Sequence, residues 1–355
     1  MKIIHISDIH LGSALTSRLS PAKIRERKAE LMSTLERCID EAVYRGARLV
    51  IIAGDLFDTE RVTKSLKAAF ISAVSRAPSI DFLYLPGNHE RLALFDGSVR
   101  IPDNLKLFSE DWTYFDYGYV TVAGRSILSS DMFSTLSIDR ERKNIVVLHG
   151  SLTDRSSEET VGLKDAGELG IDYIALGHYH SYSSTEIDSR GRAVYSGTLE
   201  GRGFDEVGEC GFVEIDTDGD KLCHSFVPFA KRSNRIISVD ISNAVERRDA
   251  DTLIENDLLG VSPSDIVRVV LTGRHTPELI IDTDSLTLRY SGKFYHFEIK
   301  DESGIKIDPE DYRHDKSLKG EFIRLVLSKE GLSEEDRDRI IMAGLSALMG
   351  DVGSL

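Results

Sequence analysis

Seven side chains of metal-ligand type stand in five short segments of the first half of the chain. They are Asp8 and His10 in SDIHLG, Asp55 in AGDLFD, Asn88 in PGNHE, His149 in LHGS, and His178 and His180 in LGHYH. Imidazole and carboxylate donors without thiolate suit manganese, iron or zinc better than an all-oxygen magnesium site. Two such ions held side by side clamp a phosphoryl group and activate water against it. Each segment follows an apolar run that reads as a strand: KIIHIS, RLVIIAG, IDFLYLPG, NIVVLHG and IDYIALG. Strands of one sheet present their carboxyl ends together, so five such ends predict a single point of convergence.

Around these segments, strand and helix signals alternate. Ile24, Leu31, Leu35, Ile39 and Ala42 recur at helical spacing after Ser20-Pro21, an N-cap followed by a first-turn proline, and Gly46 closes that helix. A strand at Leu49–Ala53, a helix through Leu66, Phe70 and Val74, and a strand at Phe82–Leu85 complete a βαβαβ order, which predicts a parallel sheet with helices on its faces. Trp112 to Leu128 and Arg192 to Val227 read as short antiparallel strands. The sandwich is therefore expected to mix parallel and antiparallel pairing. A basic, polar stretch at Lys231-Arg232-Ser233-Asn234 marks the expected boundary. We divide the chain into residues 1–230, a small α+β domain at 231–310 and a helical segment at 311–355. Strands are predicted at Arg235–Ile241, Ile266–Thr272 and Leu286–Tyr290, with a helix near Asp251–Leu258. Two helices end the chain, Lys319–Ser328 and Glu334–Met349, the second capped by Ser333.

The 355 residues suffice for one large domain and a smaller one. No apolar run is long enough to span a bilayer, and Asp8 and His10 follow the first strand so closely that no signal peptide fits ahead of them. Cys38, Cys210 and Cys223 form no CxxC pair and read as reduced, structural cysteines of a cytoplasmic protein. A net charge of −15 argues against a broad basic face for nucleic acid, although bound divalent ions reverse the sign locally.

Taken singly, each segment has a bland reading: a lone histidine is more often a hydrogen-bonded core residue than a ligand. Their conjunction is more specific. The order DxH, GDxxD, GNH[DE], H, GHxH resembles the calcineurin-like metallophosphoesterases. SDIHLGS, AGDLFD, PGNHE, LHGS and IDYIALGHYH are similar to the DNA repair exonuclease branch, the SbcD-like nuclease subunits of double-strand-break repair. YSGTLEGRGFDEVGECGF and the closing GEFIRLVLSKEGLSEEDRDRIIMAGLSALMG extend the resemblance. It covers residues 1–230 most strongly and implies a mixed β-sandwich flanked by helices; the small α+β capping domain at 231–310 rests on its position alone, ahead of the C-terminal helices.

The resemblance also implies roles. Asp8, His10 and His180 would hold one metal, Asn88, His149 and His178 the other, and Asp55 would bridge them, with manganese the expected ion and iron or zinc the alternatives. A metal-bridging hydroxide would attack phosphorus in line. His89, next to Asn88, would face the substrate without coordinating and protonate the leaving alkoxide or steady its developing charge. Asp58 would orient the histidine of GNH unless it serves only as a turn carboxylate. Arg202 and Arg91 are the expected substrate contacts, with Arg155 and the Lys231-Arg232-Arg235 cluster as further basic residues. Arg202 has the alternative of bracing the GRGF turn. His5 reads as a satisfied core residue.

A two-metal DNA nuclease, exonuclease or single-strand endonuclease, is the expected function. A small-molecule or nucleotide phosphodiesterase shares every one of these residues, and a non-catalytic scaffold is disfavoured by the intact ligand set. The expected partners are DNA, a second copy of the chain and an SMC-like coiled-coil ATPase. Leu325, Val326, Ile340, Ile341, Leu345 and Leu348 either meet that ATPase or pack on the protein's own core.

Overall fold

The computed structural model describes residues 1–15, 19–59, 61–87, 90, 97–277, 279–307 and 309–348. The chain divides into two compact units, Met1–Ser233 and Asn234–Leu355.

The first unit opens with β1 (Lys2–Ile6), α1 (Pro21–Tyr44), β2 (Leu49–Ala53), α2 (Lys64–Ser75), β3 (Asp81–Leu85) and β4 (Leu105–Leu107). Ser20 caps α1 by accepting from the Lys23 amide, with Pro21 in the first turn, and Gly46 lies beyond its end at φ +69°. β1 to β4 pair in parallel. There follow β5 (Thr113–Asp116), β6 (Val120–Gly124), β7 (Lys143–His149), the short ribbon β8 (Ser151–Thr153) and β9 (Thr160–Gly162), α3 (Leu163–Ala166) and β10 (Tyr173–Gly177). β11 (Ser183–Glu186), β12 (Arg192–Tyr195), β13 (Gly211–Asp216) and β14 (Cys223–Pro228) complete the unit.

Two six-stranded mixed sheets result, ordered β14-β13-β1-β2-β3-β4 and β11-β12-β10-β7-β6-β5. The antiparallel strands at the end of the unit divide between them. β13 adds antiparallel to β1 in the first sheet, whereas β12 lies parallel to β10 in the second.

Alternation along each strand builds three apolar layers. Ile3, Leu49, Ile51, Leu83, Val122, Ile145, Val147 and Tyr173 meet between the sheets. Ile4, Ile6, Val50, Ile52 and Phe82 face Leu31, Leu35 and Phe70 of the helices. Val146, Leu148, Ile174 and Leu176 face Met132, Phe133 and Ala166 on the far side. Both faces of β2 and β7 are thus covered, which is why their sequences read as unbroken apolar runs. Each such side chain contributes roughly 1.5–3 kcal/mol by burial, enough in sum to hold strained turns at the strand ends. Cys38 and Cys210 belong to this interior, where burial pushes their thiols up to about 12, while Cys223 is exposed.

A buried ionic cluster ties α1 to the end of the unit. Arg27 pairs with Glu30 and with Glu200 (3.1 Å), and Arg232 grips Glu30 through two nitrogens at 2.9 and 2.7 Å. Glu200 also accepts from Thr34 and from the Lys231 amide. The basic stretch at 231–235 is therefore not a continuous phosphate-facing surface: Arg232 is buried against Glu30, and Arg235 pairs with Asp265 at 2.6 Å.

The second unit comprises β15 (Asn234–Asp240), α4 (Arg247–Asp257), β16 (Ile266–Thr272), β17 (Arg274–His275), α5 (Thr283–Tyr290), β18 (His296–Asp301), β19 (Gly304–Ile305), α6 (Pro309–Tyr312), α7 (Leu318–Ser328) and α8 (Glu334–Leu348). β15, β16 and β18 form a parallel sheet. The predicted strand at Leu286–Tyr290 is a helix. Asp282 caps it by accepting from the Ser285 amide, and Leu286 and Tyr290, four apart, bury on one face while Leu288 points outward at 78% exposure. The third strand is His296–Asp301, absent from the expectation. Among the described residues, no helix is long and apolar enough to cross a membrane.

The apolar residues of the last two helices split. Val326, Ile341 and Leu345 are buried with Ile305 and Ile323, whereas Leu325, Ile340 and Leu348 remain accessible.

Candidate metal centre

The expected ligands come from both sheets. Asp8 and His10 follow β1 and Asp55 follows β2 in the first, while His149 ends β7 and His178 and His180 follow β10 in the second. The point of convergence lies where the ends of two packed sheets meet, not along one sheet edge. Asp8, His10, Asp55 and His178 all have positive φ, at 52°, 49°, 51° and 104°. Non-glycine residues adopt this region at a cost of order 1–3 kcal/mol each, and such strain concentrates at functional sites. Backbone bonds hold these turns together: Asp8 donates to the Gly54 carbonyl at 3.1 Å and His10 to that of Asp55 at 2.9 Å.

Glycine permits the close approach. A Cβ on Gly177 would stand 1.9 Å from the Ala53 carbonyl oxygen, and one on Gly54 would stand 2.1 Å from Nδ1 of His149. The glycines of AGD and LGH are therefore the space into which the His149 ring and the β2 turn fit.

Asp8, His10 and His180 bring donor atoms within 4.8 Å of one another, as do Asp8, Asp55 and His149. Asp8 is shared by the two groups. His10 Nε2 lies 3.3 Å from His180 Nε2 and 3.8 Å from Asp55 Oδ2, and His149 Nε2 lies 3.4 Å from the same carboxylate oxygen. The His178 amide donates to both oxygens of Asp8 at 3.0 Å. The exposed His178 ring lies against that of His149, with centroids 5.5 Å apart.

The partners of the outer nitrogens decide which way the lone pairs point. His10 Nδ1 faces Asp58 at 3.1 Å, His180 Nδ1 faces Glu206 at 2.8 Å, and His149 Nδ1 faces the Ala53 carbonyl at 2.9 Å. Each acceptor places the proton on Nδ1 and leaves the Nε2 lone pair directed inward. Lone pairs of His10 and His180 then meet at 3.3 Å, and the buried Nε2 of His149 makes no hydrogen bond. Converging lone pairs and carboxylates in a buried pocket fit divalent cations, and this donor set, nitrogen and oxygen without sulfur, fits Mn²⁺, Fe²⁺ or Zn²⁺.

The electrostatics reflect crowding of like groups. Burial raises the Asp8 carboxyl to about 6, with repulsion from Asp55 adding to it. Burial works against protonation of His149, but the carboxylates of Asp55 and Asp8 hold its pKa up at about 9, so at neutral pH a cation displaces a proton from Nε2 to reach that lone pair. His10 is lowered to about 4 by burial and by the nearby Arg202 guanidinium. Glu206 would be raised by burial, yet hydrogen bonds from His180 and Arg202 keep it at about 2.

Several supporting residues had no role in the sequence reading. Glu206 binds His180 and also the backbone and guanidinium of Arg202. Glu90 is buried and accepts from the amides of Leu56 and Phe57, bracing the turn after Asp55. Ser7 donates to Asp8 at 2.5 Å, and Thr198 donates to the Asp8 carbonyl. The glutamates at fixed offsets in GNHE and GRGFDE were the available signal.

The remaining residues singled out from the sequence have these surroundings. Asp58 meets His10 and, at 3.3 Å, Arg202. Arg202 donates to Glu206 and Asp58, so it braces the turn. Arg155 turns to Asp165 at 2.5 Å. His5 is buried, meets the Tyr173 hydroxyl at 2.9 Å and is lowered by burial to about 3. Asn88, His89 and Arg91 lie outside the described residues.

Residues 1–182 match the calcineurin-like phosphoesterase family. Over 370 aligned residues, 96% of this chain and 93% of the relative, the chain is 24% identical to the DNA double-strand break repair protein Mre11 of Saccharolobus solfataricus. It is also 24% identical to the uncharacterized metallophosphoesterase YhaO of Bacillus subtilis, over 81% of this chain and 75% of that one. Among solved structures, a dimetal phosphatase from Danio rerio is similar at 10% identity and a TM-score of 0.42, covering 63% of this chain and 95% of that one. Because the matched segment spans more than half of the chain and supplies the strand ends that carry Asp8, His10, Asp55, His149, His178 and His180, this protein belongs to the calcineurin-like phosphoesterases, metal-dependent hydrolases of phosphate esters.

Proposed function

We propose that the chain is a manganese-dependent DNA nuclease acting in double-strand-break repair, cutting phosphodiesters from an end or within a single strand. The observation that carries the chemistry is the inward convergence of His10, His180 and His149 Nε2 on Asp8 and Asp55. Similarity to a DNA repair protein over 96% of the chain supports the choice of DNA.

In this reading Asp8, His10 and His180 would hold one ion, His149, His178 and Asn88 would hold the second, and Asp55 would be shared. When bound, the two ions supply Lewis acidity that activates water and draws charge from the phosphoryl oxygens. The chain does the rest. Asp58, Glu206 and the Ala53 carbonyl keep the three imidazoles in the coordinating tautomer. His89, adjacent to Asn88 in sequence, delivers a proton to the leaving alkoxide.

The accessible Leu325, Ile340 and Leu348 support a role for the last two helices in docking a coiled-coil ATPase, and we propose a homodimer as the working assembly.

A second reading, a phosphodiesterase for small molecules, is favoured by the acidic balance and by the pairing of Arg155, Arg202 and Arg232 with carboxylates. Mn²⁺-dependent degradation of a labelled duplex or single strand, lost in Asp8→Ala, supports the nuclease. Hydrolysis of bis-p-nitrophenyl phosphate with no cleavage of any DNA selects the second reading.

A further inference from the structure

A cleft of about 740 Å³ opens beside the metal centre, with His149 and His178 in its lining. It is lined by Ser126, Ser129, Ser151 and Thr160 and by the exposed Glu158 and Glu159. The hydroxyls of Ser126, Ser129 and Thr160 donate to Ser109, Asp131 and Arg155, which leaves their oxygens as acceptors. Among the described residues the lining contains no lysine or arginine. The neighbouring arginines are turned elsewhere, Arg155 to Asp165 and Arg125 to the Ile127 carbonyl at 2.6 Å.

This lining suits one part of a nucleotide and repels another. Hydroxyl oxygens accept from sugar hydroxyls and from the N–H groups of base edges without regard to charge. Phosphates along a strand are ordinarily met by Lys, Arg or backbone N–H groups, and here a phosphate beyond the scissile one would face two carboxylates. Like charges at short range repel, and the repulsion weakens with salt.

We propose that this cleft seats the uncharged nucleoside on one side of the scissile phosphate, and that Glu158 and Glu159 exclude a second phosphate from it. The preferred substrate is then a strand terminus or a lone diester, not an internal phosphate of a strand threaded through the cleft. The proposal rests on the second, small-molecule phosphodiesterase reading above and is at odds with cleavage within a strand.

The test compares a dinucleoside monophosphate with the same dinucleotide bearing an added 5′- or 3′-phosphate, on the Mn²⁺-loaded full chain and its E158Q/E159Q variant. For one of the two ends, the added phosphate should lower wild-type kcat/KM about tenfold at low salt. In the variant the gap should close to about twofold. Calorimetric binding of the same ligands to the full chain without metal should give the same ordering. If no diester is hydrolysed, bis-p-nitrophenyl phosphate included, the phosphodiesterase reading fails, and the binding comparison still decides the cleft. A terminal phosphate that binds equally well at either end, or a preference untouched by the double substitution, overturns the proposal.

Discussion

Glu206 Oε1 lies 2.8 Å from Nδ1 of His180, and the same oxygen accepts from Nε of Arg202 at 2.9 Å. One buried carboxylate therefore sets the tautomer of a ligand histidine and anchors the GRGF turn that surrounds it. A linear reading of EGRGFDEVGE marks the position of its second glutamate but not that work.

Replacing Glu206 by Gln should leave the fold intact and lower Mn²⁺ affinity and phosphodiester turnover by roughly 10–100-fold, the usual effect of losing an outer partner of a metal-ligating histidine. Calorimetric metal titration separates this from a merely structural role. Unchanged affinity would show that Glu206 does not position His180.

Asp55→Ala and His89→Ala should part company in metal analysis. Asp55 faces both His10 and His149, so its loss should empty the centre and reduce hydrolysis of bis-p-nitrophenyl phosphate by more than about a hundredfold. His89→Ala should retain two ions and lose most turnover. A depleted His89→Ala protein would move that residue into the coordination shell.

Gly177→Ala should destabilise the first unit by roughly 1–3 kcal/mol, because the new methyl meets the Ala53 backbone and nothing flexible can yield. Gly167→Ala, whose Cβ would find its nearest neighbour at 3.7 Å, is the control. Urea midpoints of the two variants measure the difference, and equal midpoints would contradict the close packing described here.

The Glu30 cluster predicts an acid limb in stability. Burial alone would raise the Glu30 carboxyl, but hydrogen bonds from Arg232 and Lys231, and the charge of Arg27, hold it at about 2 against an ordinary 4.5. A depressed folded-state pKa gives stability that is complete above about pH 4.5 and lost as pH falls towards 2, in all on the order of 3 kcal/mol. Glu30→Gln should lack that contribution to the slope and be less stable at neutral pH by about 3–5 kcal/mol, since Arg27 and Arg232 stay buried with their charges less compensated. Urea unfolding of both proteins at pH 6 and pH 3 reads the effect. Parallel pH dependence would refute it.

Much of the fold was legible because burial on both faces leaves a plain trace. β2 and β7 are unbroken apolar runs, and α1 shows its Ser-Pro cap and its periodic leucines. Leu286–Tyr290 misled because Leu286 and Tyr290 fall on one face under a two-residue period and under a helical one alike. The side chain of Asp282, capping Ser285, tips the segment to helix. The tail was ambiguous for a related reason: adjacent residues such as Leu325 and Val326 are equally apolar, and only the packing of the two helices buries the second.

The order and types of the ligands determine the chemistry by themselves, because a donor set of imidazole, carboxylate and amide at strand ends has few uses other than holding metal ions. That reading needs no coordinates. Which strands stand beside which is a matter of long-range pairing, and it is tertiary structure that brings β1 and β2 of one sheet against β7 and β10 of the other. The same packing turns Arg202 and Arg232 inward to glutamates, although their sequence surroundings suit a phosphate contact. A charged side chain commits to the nearest compensating charge that burial supplies, and that partner lies as many as 202 residues away in the chain.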